Sequence, residues 1–111
     1  MKGTEKQIAW AEDIQKTVIE IIEKMQAMVT NDPRMNDPHA NTEAAKAARA
    51  KVARALDAVK ACDNAHDLIE VYQGVSSRNT ERQNVGVVGA AIMNKTHVQY
   101  DTPAQMALIG E

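Results

Sequence analysis

Apolar side chains recur at steps of three and four along the first part of the chain: Ile8, Ala11, Ile14, Val18, Ile21, Met25 and Met28. That spacing lies close to a heptad seam and predicts one long amphipathic helix over residues 4–30. Ile22 and Val29 widen the stripe, and Trp10 and Ile19 stand beside it. Thr4-Glu5-Lys6-Gln7 marks the start as a capping box, in which the Thr4 hydroxyl accepts from the Gln7 N–H and the Gln7 side chain reaches back. Glu12 with Lys16 and Glu20 with Lys24 are (i, i+4) pairs in the favourable order. Two turns of the same chemistry follow, Asn31-Asp32-Pro33 and Asn36-Asp37-Pro38. Each proline pushes the aspartate before it out of helical geometry, so residues 31–42 should form a loop that reverses the chain.

A second long helix is expected over 43–62, capped by Asn41 or Thr42. Nine of these twenty residues are alanine, which favours helix by propensity alone. Its inward stripe would be Ala45, Ala48, Val52, Ala55 or Leu56, Val59 and Cys62. Large residues on the first helix then face small ones on the second, which permits close antiparallel packing. The charges agree: the first helix carries five acids and three bases, the second five bases and two acids.

The last third is less regular. Asp63-Asn64 reads as a break and a new cap. Ala65, Leu68, Ile69 and Tyr72 give a short helix over 65–73, stopped by Gly74, with a loop over 75–79. Thr80-Glu81-Arg82-Gln83 repeats the capping box, yet Val85 to Met93 is rich in valine and glycine and also reads as a buried strand. Helix over 80–94 is preferred, because a single strand has no partner. Thr102-Pro103-Ala104-Gln105 is a third T-x-x-Q, with proline at the preferred first position, and opens a helix over 103–109. The expected fold is one all-α domain across residues 1–111: a long antiparallel helical hairpin with short C-terminal helices, bundle-like.

Composition narrows the function. Aromatics are 3% of the chain, so the core must be aliphatic. A net charge of −2 gives no bulk attraction to nucleic acid or anionic lipid. One cysteine rules out a disulfide framework or a multi-cysteine metal site. No apolar run reaches the ~18 residues of a membrane span. The polar start lacks an apolar leader, so no secretory signal is expected and a reducing cytoplasm fits best.

Candidate chemistry is sparse. His39, His66 and His97 each stand outside any paired ligand motif. Asp63, His66, Asp67 and Glu70 put acids and an imidazole on one short helix, which suits acid–base work; capping and solvation of an amphipathic helix is the plainer reading. Cys62 would need a base and a positive pocket to act as a nucleophile, and a small core residue is the plainer reading. Gly86 and Gly89 lack the Lys-Ser/Thr of a phosphate loop. No enzyme, cofactor or metal is therefore expected. Lys46, Arg49, Arg54 and Lys60 fall within about 140° of the second helix at 100° per residue. With Arg78 and Arg82 they form an alternative nucleic-acid face. The width of the first stripe points instead to a protein partner or a homodimer, with Trp10, Ile14, Val18, Ile19 and Ile22 as the interaction residues.

The opening residues, Gly3 to Ile14, resemble a group of small uncharacterised bacterial and phage proteins that begin T-G-T/S-E-K-Q-I-x-W-A-E-x-I. Many of these carry a later helix of the type A-K-W-W-I-D-N-R. Ala65, Ile69 and Glu70 match it, whereas His66, Asp67, Leu68, Val71 and Tyr72 depart from it. Similar T-E-K-Q phrases occur in accessory segments of some bacterial topoisomerases. The resemblance implies a bacterial cytoplasmic, phage or mobile-element setting and no particular activity. In a phage setting, a non-catalytic interaction protein would have host machinery as its target, such as a defence nuclease.

Overall fold

A computed structural model of the chain describes residues 1–31, 42–93, 100 and 102–111. These residues form α1 (Glu5–Asn31), α2 (Glu43–Ala61), α3 (Ala65–Tyr72), α4 (Glu81–Met93) and α5 (Pro103–Ala107). The fold is all-α, as the periodicity predicted. The valine- and glycine-rich stretch is helical through Met93. Both Asn-Asp-Pro turns beyond Asn31, His39, His97 and the rest of 94–99 lie outside the described residues.

The caps explain the helix starts. Thr4 Oγ1 accepts from Gln7 N at 3.2 Å, while Gln7 Oε1 accepts from Thr4 N at 3.0 Å. Thr80 and Gln83 close the same box at 3.2 and 2.9 Å. Thr42, not Asn41, caps α2, accepting from Ala45 N at 3.1 Å. Asn64 caps α3 through Asp67 N. The third T-x-x-Q behaves differently. Thr102 caps α5 through Gln105 N at 3.1 Å, but the buried Gln105 side chain turns away and donates to Asp67 Oδ1 at 3.1 Å. An amide facing another helix does more there than one reaching back to a terminus.

The hairpin is antiparallel. Gln15 Nε2 on α1 donates to the carbonyls of Val59 (2.8 Å) and Cys62 (3.1 Å) at the end of α2, whereas Met25 and Val29 line a groove with Ala48 and Val52 nearer its start. α1 nevertheless packs most extensively on α3, and then on α2 and α4. The core takes Ala11, Ile14, Val18, Ile21 and Ile22 from α1, Ala55, Leu56 and Val59 from α2, and Leu68, Val71 and Tyr72 from α3. Ala65, Val75, Val88, Ile92, Leu108 and Ile109 complete it. The buried Tyr72 hydroxyl donates to the Leu108 carbonyl in a short hydrogen bond.

Two glycines are conformationally required. Gly3 (φ +144°) lets Lys2 lie against the α2–α3 turn, with Lys2 N donating to Asp63 O at 2.6 Å and Lys2 O accepting from Ala65 N at 2.9 Å. Gly110 (φ +83°) sits so close to α2 that a Cβ would stand 2.2 Å from the Lys51 carbonyl oxygen. Gly74, expected as the stop of α3, has no positive φ. Its role is close approach, since a Cβ there would press on Val87 at 3.2 Å.

Candidate functional site

Three of the five interaction residues expected on α1 are core residues. Ile14, Val18 and Ile22 have no exposed surface, and Ile19 is half-buried against the same core. The α3 helix lies over this stretch of α1 and covers the stripe that the sequence left open. Only Trp10 keeps substantial exposure, at 48%.

The apolar surface of the molecule lies elsewhere. At the far half of the hairpin Met28 is 72% exposed, Met93 45%, and Val29 and Val85 38% each. Met28, placed inward by the heptad count, points out because the described residues put no helix over it. Two grooves run here. One, of about 370 Å³, is lined by Met25, Gln26, Val29, Ala48, Arg49, Val52 and Met93. The other, of about 540 Å³, lies between α1 and α4, from Ile21, Met25, Met28 and Val29 across to Arg82 and Val85. Met25 and Val29 line both, so the two grooves adjoin along this stretch of α1. Scattered exposed apolar residues are ordinary, whereas a contiguous patch with a polar rim marks an interaction surface. Methionine suits such a surface, because its unbranched, polarisable side chain adapts to varied partners. Val85 and Met93 carried no helical-stripe signal, since α4 is apolar on several faces.

The basic residues of the alternative reading are largely engaged within the chain. Arg54 Nε donates to Gly110 O at 3.0 Å, Lys60 pairs with Glu23, and Lys46 lies 3.7 Å from Glu43. Lys51, beside them, pairs with Glu111 at 2.8 Å. Arg49 and Arg82 line the two grooves rather than a common face. Arg78 lies in the α3–α4 loop near Asp13. There Ser77 N donates to Asp13 Oδ2 at 3.1 Å, and the bonds from Ser77 hold the Asp13 carboxyl below its ordinary value. Lys24, spaced in sequence to pair with Glu20, reaches across to Glu81 on α4 at 3.0 Å.

The acid-rich helix is built into the scaffold. Asp67 accepts from Gln105, and the Asp63 carbonyl holds Lys2. Among the described residues no three His, Cys, Asp or Glu side chains converge to hold a metal. The Cys62 thiol contacts Asn64 O at 3.5 Å, and burial raises its pKa, with Asp67 and Asp63 adding to the rise. That environment opposes the thiolate a nucleophile needs. Burial likewise raises the Tyr72 and Tyr100 hydroxyls. No helix among the described residues is long and apolar enough to cross a membrane.

Comparison with known proteins returns no matching family model, no matching curated protein and no matching solved structure.

Proposed function

We propose that this chain is a non-catalytic helical protein-interaction module that docks its partner at the methionine-lined end of the hairpin. One observation carries the reading: Met28, Met93, Val29 and Val85 stand exposed beside two adjoining apolar grooves, while no buried side-chain polar atom among the described residues lacks a partner. A chain that satisfies its interior so fully and gathers four exposed apolar side chains at one end has a surface suited to another molecule. In the bacterial or phage setting that the resemblance implies, the target would be host machinery, and the chain would act as its inhibitor. The nucleic-acid alternative has less support, because Arg54 and Lys60 already bond within the chain.

The test places a photo-reactive amino acid at Met28 or at Glu12 and irradiates bacterial cells that express the full chain. The expected result is one discrete protein adduct from position 28 that is absent from position 12. The same adducts from both positions, or none from either, defeat the reading. Anisotropy titration with short DNA and RNA supplies the contrast. Tight binding that falls steeply with salt and disappears on charge reversal at Arg49 and Arg54 would transfer the function to nucleic acid.

A further inference from the structure

We propose that Met28 and Met93 form a reversible oxidation site: peroxide converts both thioethers to sulfoxides, which closes the docking surface to its partner and leaves the fold standing. This rests on the interaction-module reading and names the regulation of that surface.

Three of the six methionines, Met25, Met28 and Met93, line the two adjoining grooves. Met28 is 72% exposed and Met93 45%. The buried hydrophobic core holds no methionine among the described residues. It is built from alanine, valine, isoleucine, leucine and Tyr72. Thioether sulfur thus stands at the grooves and is missing from the sealed interior. Met28 and Met93 are exposed rather than packed into that core, so leucine would serve a plain apolar patch there. Beyond its adaptability, methionine adds a sulfur that can be oxidised and restored.

Exposure selects which sulfurs react. Met25 packs partly against the core, and Met106 is half-buried on α5, so both fall behind Met28 and Met93. Met1 is exposed but lines neither groove. Met35 lies outside the described residues. The Cys62 sulfur is half-buried, and burial helps it to keep its proton, whereas peroxide attacks the thiolate.

In each oxidation a sulfur lone pair attacks one oxygen of hydrogen peroxide. The S–O bond forms as the O–O bond breaks. The proton on the transferred oxygen passes to the departing hydroxide, which leaves as water. Sulfur gives up two electrons and the peroxide takes them. Methionine sulfoxide reductase reverses the step with a dithiol, which becomes a disulfide while the oxygen leaves as water. Each sulfoxide sets a strong dipole beside Val29, Val52 or Val85. A partner that dries this surface must then strip water from a polar oxygen.

The experiment places a photo-reactive amino acid at Val85, which lines a groove and leaves both methionines in place. The purified full chain is treated with hydrogen peroxide, mapped by tryptic mass spectrometry, desalted and irradiated in a bacterial lysate. Sulfoxide should accumulate at Met28 and Met93 about tenfold faster than at Met106. The adduct given by the untreated chain should fall about tenfold, and return after methionine sulfoxide reductase with dithiothreitol. A chain carrying both Met28→Leu and Met93→Leu keeps its apolar surface and should keep its adduct through the same treatment. The thermal midpoint should be the same for the oxidised and reduced chains. Equal oxidation at Met106, an adduct indifferent to sulfoxide at both positions, or an adduct lost equally from the leucine variant overturns the proposal. The interaction reading survives each of these. A lower midpoint after oxidation also overturns the proposal, because the fold would then be the target. No adduct from the untreated chain brings down the interaction reading, and the switch falls with it.

Discussion

The two halves of the α1–α2 hairpin start from similar amphipathic helices and finish differently. Around Ile14 and Val59 the stripe is closed on α1 by α3, and α5 packs against both α2 and α3. Around Met25 and Val52 α4 alone lies alongside among the described residues, and Met28 and Met93 stay exposed. Length explains the contrast. At 1.5 Å per residue, α1 is about 40 Å long and the eight-residue α3 about 12 Å, so α3 can lie along no more than about a third of α1. Residue choice follows the same division. The closed half uses branched and aromatic side chains such as Ile14, Ile22, Val59 and Tyr72, which pack in one way. The open half uses methionines, which repack around whatever arrives.

Truncation should separate the halves most sharply. Ile22→Ala is expected to cost about 2–5 kcal/mol, because it empties a sealed core, whereas Met28→Ser should stay within about 0.5 kcal/mol. Urea denaturation measures both, and equal losses would erase the distinction. Gly110→Ala should come next, at about 2 kcal/mol, since alanine there must adopt a left-handed backbone and also crowd the Lys51 carbonyl.

Tyr72→Phe should cost about 1–3 kcal/mol by leaving a buried carbonyl without its donor. It should also change the alkaline limb of stability. Burial lifts the folded-state pKa of Tyr72 above its ordinary 10.0. Its contribution is therefore complete below pH 10 and is lost as pH climbs towards the folded value. The phenylalanine variant should show a flatter decline in a pH series of thermal melts. A small effect of the opposite sign belongs to the open half. Gly89→Ala should stabilise by about 0.5–1 kcal/mol, because alanine fits a helical φ with open space around it. A loss on that substitution would mean that Gly89 is already covered within the chain.

Much of this architecture was legible from local chemistry. The T-x-x-Q phrases located the starts of α1, α4 and α5, because a cap is satisfied within four residues of chain. The seam of α1 was legible for the same reason. Its covering was not. Which helix lies over Ile14, Val18 and Ile22 depends on where α3 docks, some fifty residues away in sequence, and periodicity carries no record of that. The same blindness turned Met28 inward and missed Val85 and Met93, whose exposure reflects the short reach of α3 rather than any pattern of their own. The basic face of α2 was visible as an angular sector, but its engagement by Glu23 and Gly110 was not.

The dominance of the α1–α3 contact also has a consequence in time. During synthesis from the N-terminus, the stripe around Ile22 has no permanent cover until Tyr72 has left the ribosome. At about 5–20 residues per second those fifty residues take roughly 3–10 seconds. Through that interval α1 is an apolar ribbon on a growing chain, open to chaperones and to neighbouring nascent chains alike. The five acids from Glu5 to Glu23 outnumber the three bases beside them, so two such ribbons would meet with net charge of the same sign.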